Sequence, residues 1–135
     1  KYIEEHLRPI DKKELQGAYT SVTKCAMHEF CDNFLAFGEN DEPIAIYGIV
    51  KYPIDGLHAV WMAGTTEIKN YKKELITIGF EEISRFTKEY GPVTNYISTD
   101  NTESRRWLKK AGAVFDAPFK ENGITWQQFV IRGNE

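Results

Sequence analysis

The chain has 135 residues, of which 41% are hydrophobic and 13% aromatic, and its formal net charge is −3. These values are typical of a globular protein and exclude the disordered, collagen-like and disulfide-scaffold classes. No apolar run reaches the roughly 20 residues that cross a bilayer, and the opening stretch "KYIEEHLRPI" lacks the apolar segment of a signal peptide.

These properties predict one domain over residues 1–135, located in the cytoplasm. The acidic balance argues against nucleic acid as a partner, because phosphate binding depends on clustered positive charge. The short apolar runs argue against a membrane. Cys25, His28 and Cys31 could supply three zinc ligands, but a fourth ligand is missing locally. We therefore expect no metal and two buried thiols.

The first half of the chain predicts a strand, a helix and a meander. Residues 2–10 alternate well enough for a first strand, and Asp11 then serves as the N-cap of a helix with Glu14 as its capping-box partner. Three β-rich runs follow within residues 33–68, separated by turn-forming residues. Their spacing predicts three antiparallel strands.

The period becomes helical over residues 70–90, where the apolar face consists of Leu75, Gly79, Ile83, Phe86 and Tyr90. Gly79 on that face predicts a close approach to a sheet, and Gly91 ends the helix. The segment "VTNYIS" is then a short strand.

The last segment predicts a short helix and two strands. Asp100 or Asn101 caps the helix, with Glu103 in the capping-box position if Asp100 is the cap, and Gly112 follows its end. The two strands are joined by a turn at residues 121–123. We expect a group of aromatic residues in the core: Trp61, Trp107, Phe115, Phe119, Trp126 and Phe129.

Two segments resemble a known family. "LRPIDKKEL", residues 7–15, is similar to the first strand and helix entry of the GCN5-related N-acetyltransferase superfamily, the acyl-CoA N-acyltransferase fold. "DNTESRRWLKKAGAVF", residues 100–115, resembles its late helix, with Asn101 at the start and Gly112 at the end. The resemblance covers nearly the whole chain. It implies an α+β fold with a mixed, mostly antiparallel sheet, a long central helix and a short late helix.

The resemblance also implies a site for acetyl-CoA. In the family, the strand before the long helix pairs with the pantetheine arm and the following loop holds the pyrophosphate, an arrangement that suits a helix N-terminus. Here the strand is "HAVWMAG" and the loop is "TTEIKNYKKE". The implied cofactor-binding residues are Met62, Ala63, Gly64, Thr65, Lys69, Lys72, Lys73 and Asn101.

The sequence departs from the family pattern at the loop and at the general acid. The loop contains no glycine, although its lysines, with Arg105 and Arg106, could hold a phosphate or simply form a solvated helix surface. Leu108 stands where the family often has a proton-donating Tyr. Glu67 is the positional candidate for a general base and His58 a weaker one, and both are also ordinary polar residues for strand ends.

Two functions remain open. Within the superfamily the chain resembles a group of internal virion or assembly proteins of short-tailed phages, which implies a phage or host protein as partner in the host cytoplasm. In that hypothesis the cofactor loop is degenerate and the protein acts in binding or virion assembly. The alternative is an active N-acetyltransferase that moves an acetyl group from acetyl-CoA to an amine. The missing glycines and Leu108 favour the first hypothesis.

Overall fold

The computed structural model describes residues 2–18, 20–26 and 30–133. The strands are β1 (Cys31–Phe37), β2 (Pro43–Val50), β3 (His58–Gly64), β4 (Val93–Ser98), β5 (Val114–Phe115), β6 (Phe119–Glu121) and β7 (Ile124–Ile131). The helices are α1 (Tyr2–Glu5), α2 (Pro9–Gly17), α3 (Val22–Ala26), α4 (Lys72–Tyr90) and α5 (Thr102–Lys110), and a 3₁₀ helix covers Thr66–Asn70. No helix in these ranges is long and apolar enough to cross a membrane.

The strands form one sheet in the order β1-β2-β3-β4-β7-β5, and β6 also pairs with β7. Every pairing is antiparallel except that of β3 with β4. The predicted meander is confirmed as β1, β2 and β3, and the predicted α+β fold with a mixed sheet, long central helix and short late helix is confirmed as well.

The sheet buries a core on each face. On the face toward α4 and α5, the core includes Ile49, Phe86 and Phe129, with Trp107 packed against it. On the other face, α1, α2 and α3 contribute Ile3, Leu15 and Val22. The sheet is therefore covered on both sides, and its strands are apolar rather than strictly alternating.

The predicted first strand is wrong, because residues 2–5 form helix α1 and Pro9 begins α2. Ile3 is buried, and Leu7 makes only an isolated bridge to Thr65. The spacing of Ile3 and Leu7 suits a helix as well as a strand, and proline at the first helical position preorganises the backbone for α2.

The predicted capping box of α2 is also wrong. The N-cap is Arg8, whose side chain makes no capping bond, and Asp11 lies inside the first turn. The buried Asp11 carboxylate instead accepts hydrogen bonds from the Arg8 guanidinium. A carboxylate in the first turn is favoured by the helix dipole. Because neither Asp11 nor Glu14 takes part in a capping box, Asp11 bonds to β3 and Glu14 bonds to β4.

Gly79 approaches a helix rather than the sheet. A Cβ placed at Gly79 would lie 2.4 Å from a ring carbon of Trp107 in α5, and the Trp107 ring stacks on Phe80 with 5.5 Å between centroids. The glycine therefore lets the indole of α5 lie against α4. The predicted close contact at Gly79 is confirmed, but the predicted partner, the sheet, is wrong.

The C-terminal turn is confirmed at residues 121–123, where Asn122 and Gly123 have φ values of 54° and 74°, as a two-residue hairpin turn requires. The run before the turn divides into β5 and β6, both paired with β7. Phe119 is 39% exposed and does not belong to the core. The predicted core position of Trp126 is confirmed.

Candidate active site

The strands β3 and β4 pair only at their first residues. His58 lies opposite Val93 and Ala59 opposite Thr94, and the ladder ends there. Past this point the two strands separate, and the Asn95 side-chain amide donates a hydrogen bond across the gap to the Val60 carbonyl. The gap opens into a cavity of about 1130 Å³ whose wall includes residues of both strands.

One rim of the gap is the free edge of β3. The carbonyl of Val60 and the N–H of Gly64 face this edge, since they bond to Asn95 and to the Asp11 carboxylate. Because peptide groups alternate along a strand, those of Met62 face the same edge. No other described residue forms a hydrogen bond with the Met62 N–H or the Met62 carbonyl, so both groups are open to the cavity.

The opposite rim is the end of β4, where α2 contributes Glu14. The Ser98 N–H donates to Glu14 Oε2 at 2.7 Å, and Asn101 Nδ2 donates to Glu14 Oε1 at 3.0 Å. Burial raises the pKa of the Glu14 carboxyl to about 7, although both hydrogen bonds lower it. The site therefore contains a carboxyl group that titrates near neutral pH.

Asp11 closes the β3 rim at Gly64, the last residue of the strand. Its Oδ2 accepts the Gly64 N–H at 3.0 Å and the Arg8 Nε at 2.7 Å, and the side chain is 3% exposed. The Gly64 carbonyl accepts the N–H of Arg8 at 2.8 Å. Residues at the N-terminus of α2 thus form hydrogen bonds with both the N–H and the carbonyl of Gly64. The N–H and carbonyl of Met62 remain without such partners.

The loop after β3 forms the 3₁₀ helix and uses most of its own amides. Thr65 Oγ1 accepts the Glu67 N–H and donates to the Ile44 carbonyl, and the Thr65 side chain is fully buried. Tyr71 is the N-cap of α4 but provides no side-chain capping bond. The first-turn N–H groups of α4, from Lys72 to Glu74, consequently have no acceptor among the described residues.

The predicted cofactor residues lie in three environments. Met62 faces the gap, whereas Ala63 is buried against the other face of the sheet. Lys72 and Lys73 are exposed at the start of α4, and Lys72 Nζ lies 3.0 Å from Glu103 of α5. Lys69 is exposed beside a second cavity of about 460 Å³.

Asn101 has a structural role that the sequence predicted and a contact that it did not. Its Oδ1 accepts the Ser104 N–H as the N-cap of α5, and its Nδ2 bonds to Glu14. Glu103 therefore completes no capping box. Of the two arginines considered for phosphate binding, Arg105 bonds to Gln127 and lies over the Phe115 ring, while Arg106 lies on the cavity wall.

The predicted general-base candidates lie away from the gap. Glu67 follows the end of β3 and accepts a hydrogen bond from Asn70. His58 is 7% exposed, and its Nδ1 lies 2.8 Å from the Val50 carbonyl on the β2 side. Leu108 is buried in the core at 6% exposure.

The cysteine cluster falls partly outside the described residues, because His28 lies there. Cys25 and Cys31 are free and half-buried rather than fully buried, and burial raises the pKa of the Cys31 thiol. Within the described ranges, no group of three His, Cys, Asp or Glu side chains could hold a metal ion.

Glu14 is the functional candidate that the sequence did not reveal. Its only sequence signal is its position three residues after Asp11, which indicated a capping box. The same spacing puts both carboxylates on one face of α2. That face meets the ends of β3 and β4, so both carboxylates reach the rims of the gap.

No protein-family model matches the chain, and no curated protein matches its sequence. Solved structures match between 74% and 93% of its length. A variant of spermidine N-acetyltransferase from Vibrio cholerae is 13% identical, with a TM-score of 0.62 over 89% of this chain and 74% of that chain. Ribosomal-protein-S5-alanine acetyltransferase from Vibrio fischeri is 14% identical, with a TM-score of 0.66 over 84% of this chain and 68% of that chain.

An acetyltransferase of the GNAT family from Bacillus anthracis is 16% identical, with a TM-score of 0.61 over 74% of this chain and 65% of that chain. Identities this low show a shared fold and nothing finer. The chain has the fold of the GCN5-related N-acetyltransferases, the acyl-CoA N-acyltransferase fold.

Proposed function

We propose that the protein binds an acyl-CoA thioester between β3 and β4 and transfers the acyl group, with acetyl as the simplest case, to an amine. The observation that carries this proposal is the separation of the two strands after Ala59 and Thr94, which leaves the Met62 peptide unit facing a cavity. An N–H and a carbonyl in the middle of a strand that lack a partner on one edge mark a place where a further extended chain can pair. An extended chain that contains amides, such as the pantetheine arm, satisfies both.

The start of α4 is the proposed binding position for the pyrophosphate. The first-turn N–H groups of α4 lack acceptors, and the helix dipole favours an anion there. Lys72 and Lys73 flank these groups, and Lys69 lies one turn earlier. The Lys72 pair with Glu103 is exposed on both sides and contributes little that a phosphate could not replace. In this proposal, the positive charges of the lysines hold the pyrophosphate at a loop that contains no glycine.

The reaction requires alignment more than elaborate chemistry. An acyl donor held against β3 and an amine that enters the same cavity become neighbours, and such proximity lowers the barrier by itself. A backbone N–H directed at the thioester carbonyl would stabilise the charge that develops on its oxygen. Water can protonate the departing thiolate, so Leu108 does not prevent the reaction.

Reversal of two lysine charges is expected to weaken binding of the acyl donor. In calorimetric titration, the unaltered protein should bind acetyl-CoA and CoA saturably at micromolar concentration. The Lys69→Glu, Lys72→Glu variant should lose roughly tenfold or more in affinity, about 1.4 kcal/mol, because two cations near the pyrophosphate become anions. A matched variant, Lys88→Glu with Lys120→Glu, reverses two exposed charges away from the loop and should bind normally. Equal affinities for the two variants would argue against the phosphate position.

Removal of a single N–H provides a second test. Met62→Pro deletes the N–H that faces the gap without breaking a bond of the β2 ladder, which does not use that N–H; circular dichroism checks that the variant is folded. We expect affinity for CoA to fall roughly five- to tenfold, the value of about one hydrogen bond. Met62→Leu keeps the N–H and serves as the control. If both variants bind equally, the arm does not pair with β3.

Two amines are the first acceptors to test. The structural neighbours include a spermidine N-acetyltransferase and an enzyme named for the alanine of a ribosomal protein. Spermidine and a peptide with an N-terminal alanine are therefore suitable probes. Acetylated products are detected by mass spectrometry and released CoA by chromatography.

Binding or virion assembly without catalysis is the second candidate function. It is favoured by Asp11, whose carboxylate already occupies the Gly64 N–H on the β3 rim, and by the buried Leu108. In this case the partner is a phage or host protein. Absence of CoA binding at millimolar concentration would support it and would contradict acyl transfer.

A further inference from the structure

We infer that Glu14 is the general base of the reaction, the group that takes the proton from the amine nitrogen as it attacks the thioester. This inference rests on the proposed acyl transfer. It names a residue on α2, outside the strand and loop that hold the acyl donor.

The position of Glu14 carries the inference. Its carboxylate is bound to the Ser98 N–H at the end of β4, and the open Met62 peptide lies on β3, so the two groups occupy opposite rims of one gap. Glu14 and Met62 both line the cavity between the strands, so a donor that pairs with Met62 enters the cavity that contains Glu14. Each Glu14 oxygen accepts one hydrogen bond, Oε2 from the Ser98 N–H and Oε1 from Asn101 Nδ2, which leaves a lone pair on each oxygen for a proton.

The other carboxylates on the cavity wall are engaged or exposed. Asp11 is bonded to Arg8 and Gly64, Glu82 to Arg85, and Glu103 to Lys72. Glu121 lies exposed at the end of β6. Glu14 is the member of this group that is half-buried, oriented by neutral donors and without an ion-pair partner among the described residues.

The ionisation of Glu14 suits this role. The pKa of its carboxyl is about 7: burial is the largest influence and raises it, the hydrogen bonds from Ser98 and Asn101 lower it, and the charges of Asp11 and Arg8 raise and lower it respectively. A base of this strength is ionised in part at neutral pH and still holds a proton well. The other charged groups on the cavity wall are Lys72, Glu82, Glu103, Arg106, Lys110 and Glu121.

The step balances without a further reactant. The amine nitrogen forms a bond to the thioester carbon, and its proton passes to the Glu14 carboxylate. The carbon–sulfur bond breaks, and the sulfur leaves as a thiolate with the electron pair. The proton then passes from Glu14 to the thiolate or to water. The products are the amide and the free thiol, and Glu14 is again ionised.

Glu14→Gln tests the role with two nucleophiles. With acetyl-CoA and either spermidine or the alanine-terminated peptide, the transfer rate should fall roughly 100-fold or more, and the acidic limb of the pH profile near neutrality should disappear. Hydroxylamine is a much weaker base than either amine, so its nitrogen is mostly neutral at pH 7 and can lose its proton to water after it attacks; its rate should change by less than about tenfold. CoA affinity by calorimetry should remain within about threefold.

The control is Glu81→Gln, which neutralises an exposed carboxylate on α4 and should leave both rates unaltered. Equal losses with the amine and with hydroxylamine would overturn the assignment and identify a structural role. So would an unchanged amine rate in a variant that binds CoA. An unaltered protein that binds CoA but acetylates neither nucleophile overturns the base while the binding site stands. Failure to bind CoA contradicts the proposed function itself.

Discussion

Replacement of Asp11 by alanine is expected to lower the free energy of unfolding by about 3–5 kcal/mol, which is the cost of breaking a buried ion pair by removing one partner. The Asp11 side chain is 3% exposed and that of Arg8 is 15% exposed. Without the carboxylate, the largely buried guanidinium loses the only carboxylate among the described residues to which it is hydrogen-bonded. The Gly64 N–H also loses its acceptor, at a cost of about 1–3 kcal/mol that overlaps the first.

Urea denaturation followed by circular dichroism measures this effect. Asp100→Ala is the matched control, because Asp100 pairs with Lys13 at a similar distance of 2.7 Å but in solvent. It should cost less than about 1 kcal/mol. The double replacement Arg8→Met, Asp11→Leu removes both charges and should be considerably more stable than Asp11→Ala alone. A similar loss for Asp11→Ala and Asp100→Ala would contradict the buried pairing.

The stability of the protein is expected to decrease as the pH rises from about 4.5 to about 7 because of Glu14. Its carboxyl has a pKa of 4.5 when solvated and about 7 in the folded protein, so the folded state retains a proton that the unfolded state releases. Unfolding then releases a proton, and higher pH favours it. The full effect is about 3 kcal/mol, at roughly 1.4 kcal/mol per pKa unit, and it is complete above the folded pKa.

Thermal or urea denaturation of the unaltered protein and of Glu14→Gln, measured across this range, isolates the effect. The variant cannot titrate at this position, so the difference between the two stability curves should change by about 3 kcal/mol between pH 4.5 and 7 and be flat outside that window. The exposed Asp100 and Glu103 carboxyls have lowered pKa values because of Lys13 and Lys72. They act below this window, with the opposite sign, in both proteins. Parallel curves would show that Glu14 titrates as a solvated carboxyl.

These two carboxylates have different effects on the site. Asp11 is held by a cation and closes the Gly64 end of the rim, so its loss should appear mainly in stability. Glu14 is held by a backbone N–H and an amide, and its charge is not neutralised by a partner. A group that costs stability when ionised at neutral pH is typical of an active site, where function rather than folding selects the residue.

The meander, the long helix, the late helix and the final hairpin could be predicted because each depends on local periodicity and turn residues. Gly112, with a φ of 99°, and the Asn122–Gly123 turn have backbone conformations that neighbouring residues alone dictate. The N-terminal segment could not be predicted in this way. Ile3 and Leu7 fit either period, and the choice depends on the sheet face and on Val22, against which Ile3 packs.

The same distinction between local pattern and tertiary contact applies to the candidate site. The sequence by itself determined the order of the elements from the meander onward, and the family resemblance predicted the strand, the loop and the lysines that would hold an acyl donor. Only the tertiary structure decided that β3 and β4 separate after Ala59, that Asp11 closes the Gly64 end of the β3 rim, and that Glu14 lies on the opposite rim at the end of β4. The physical reason is that a periodic pattern records which face of an element is apolar, whereas Glu14 acquires its neighbours and its pKa from β4 and α5, 84 and 87 residues away along the chain.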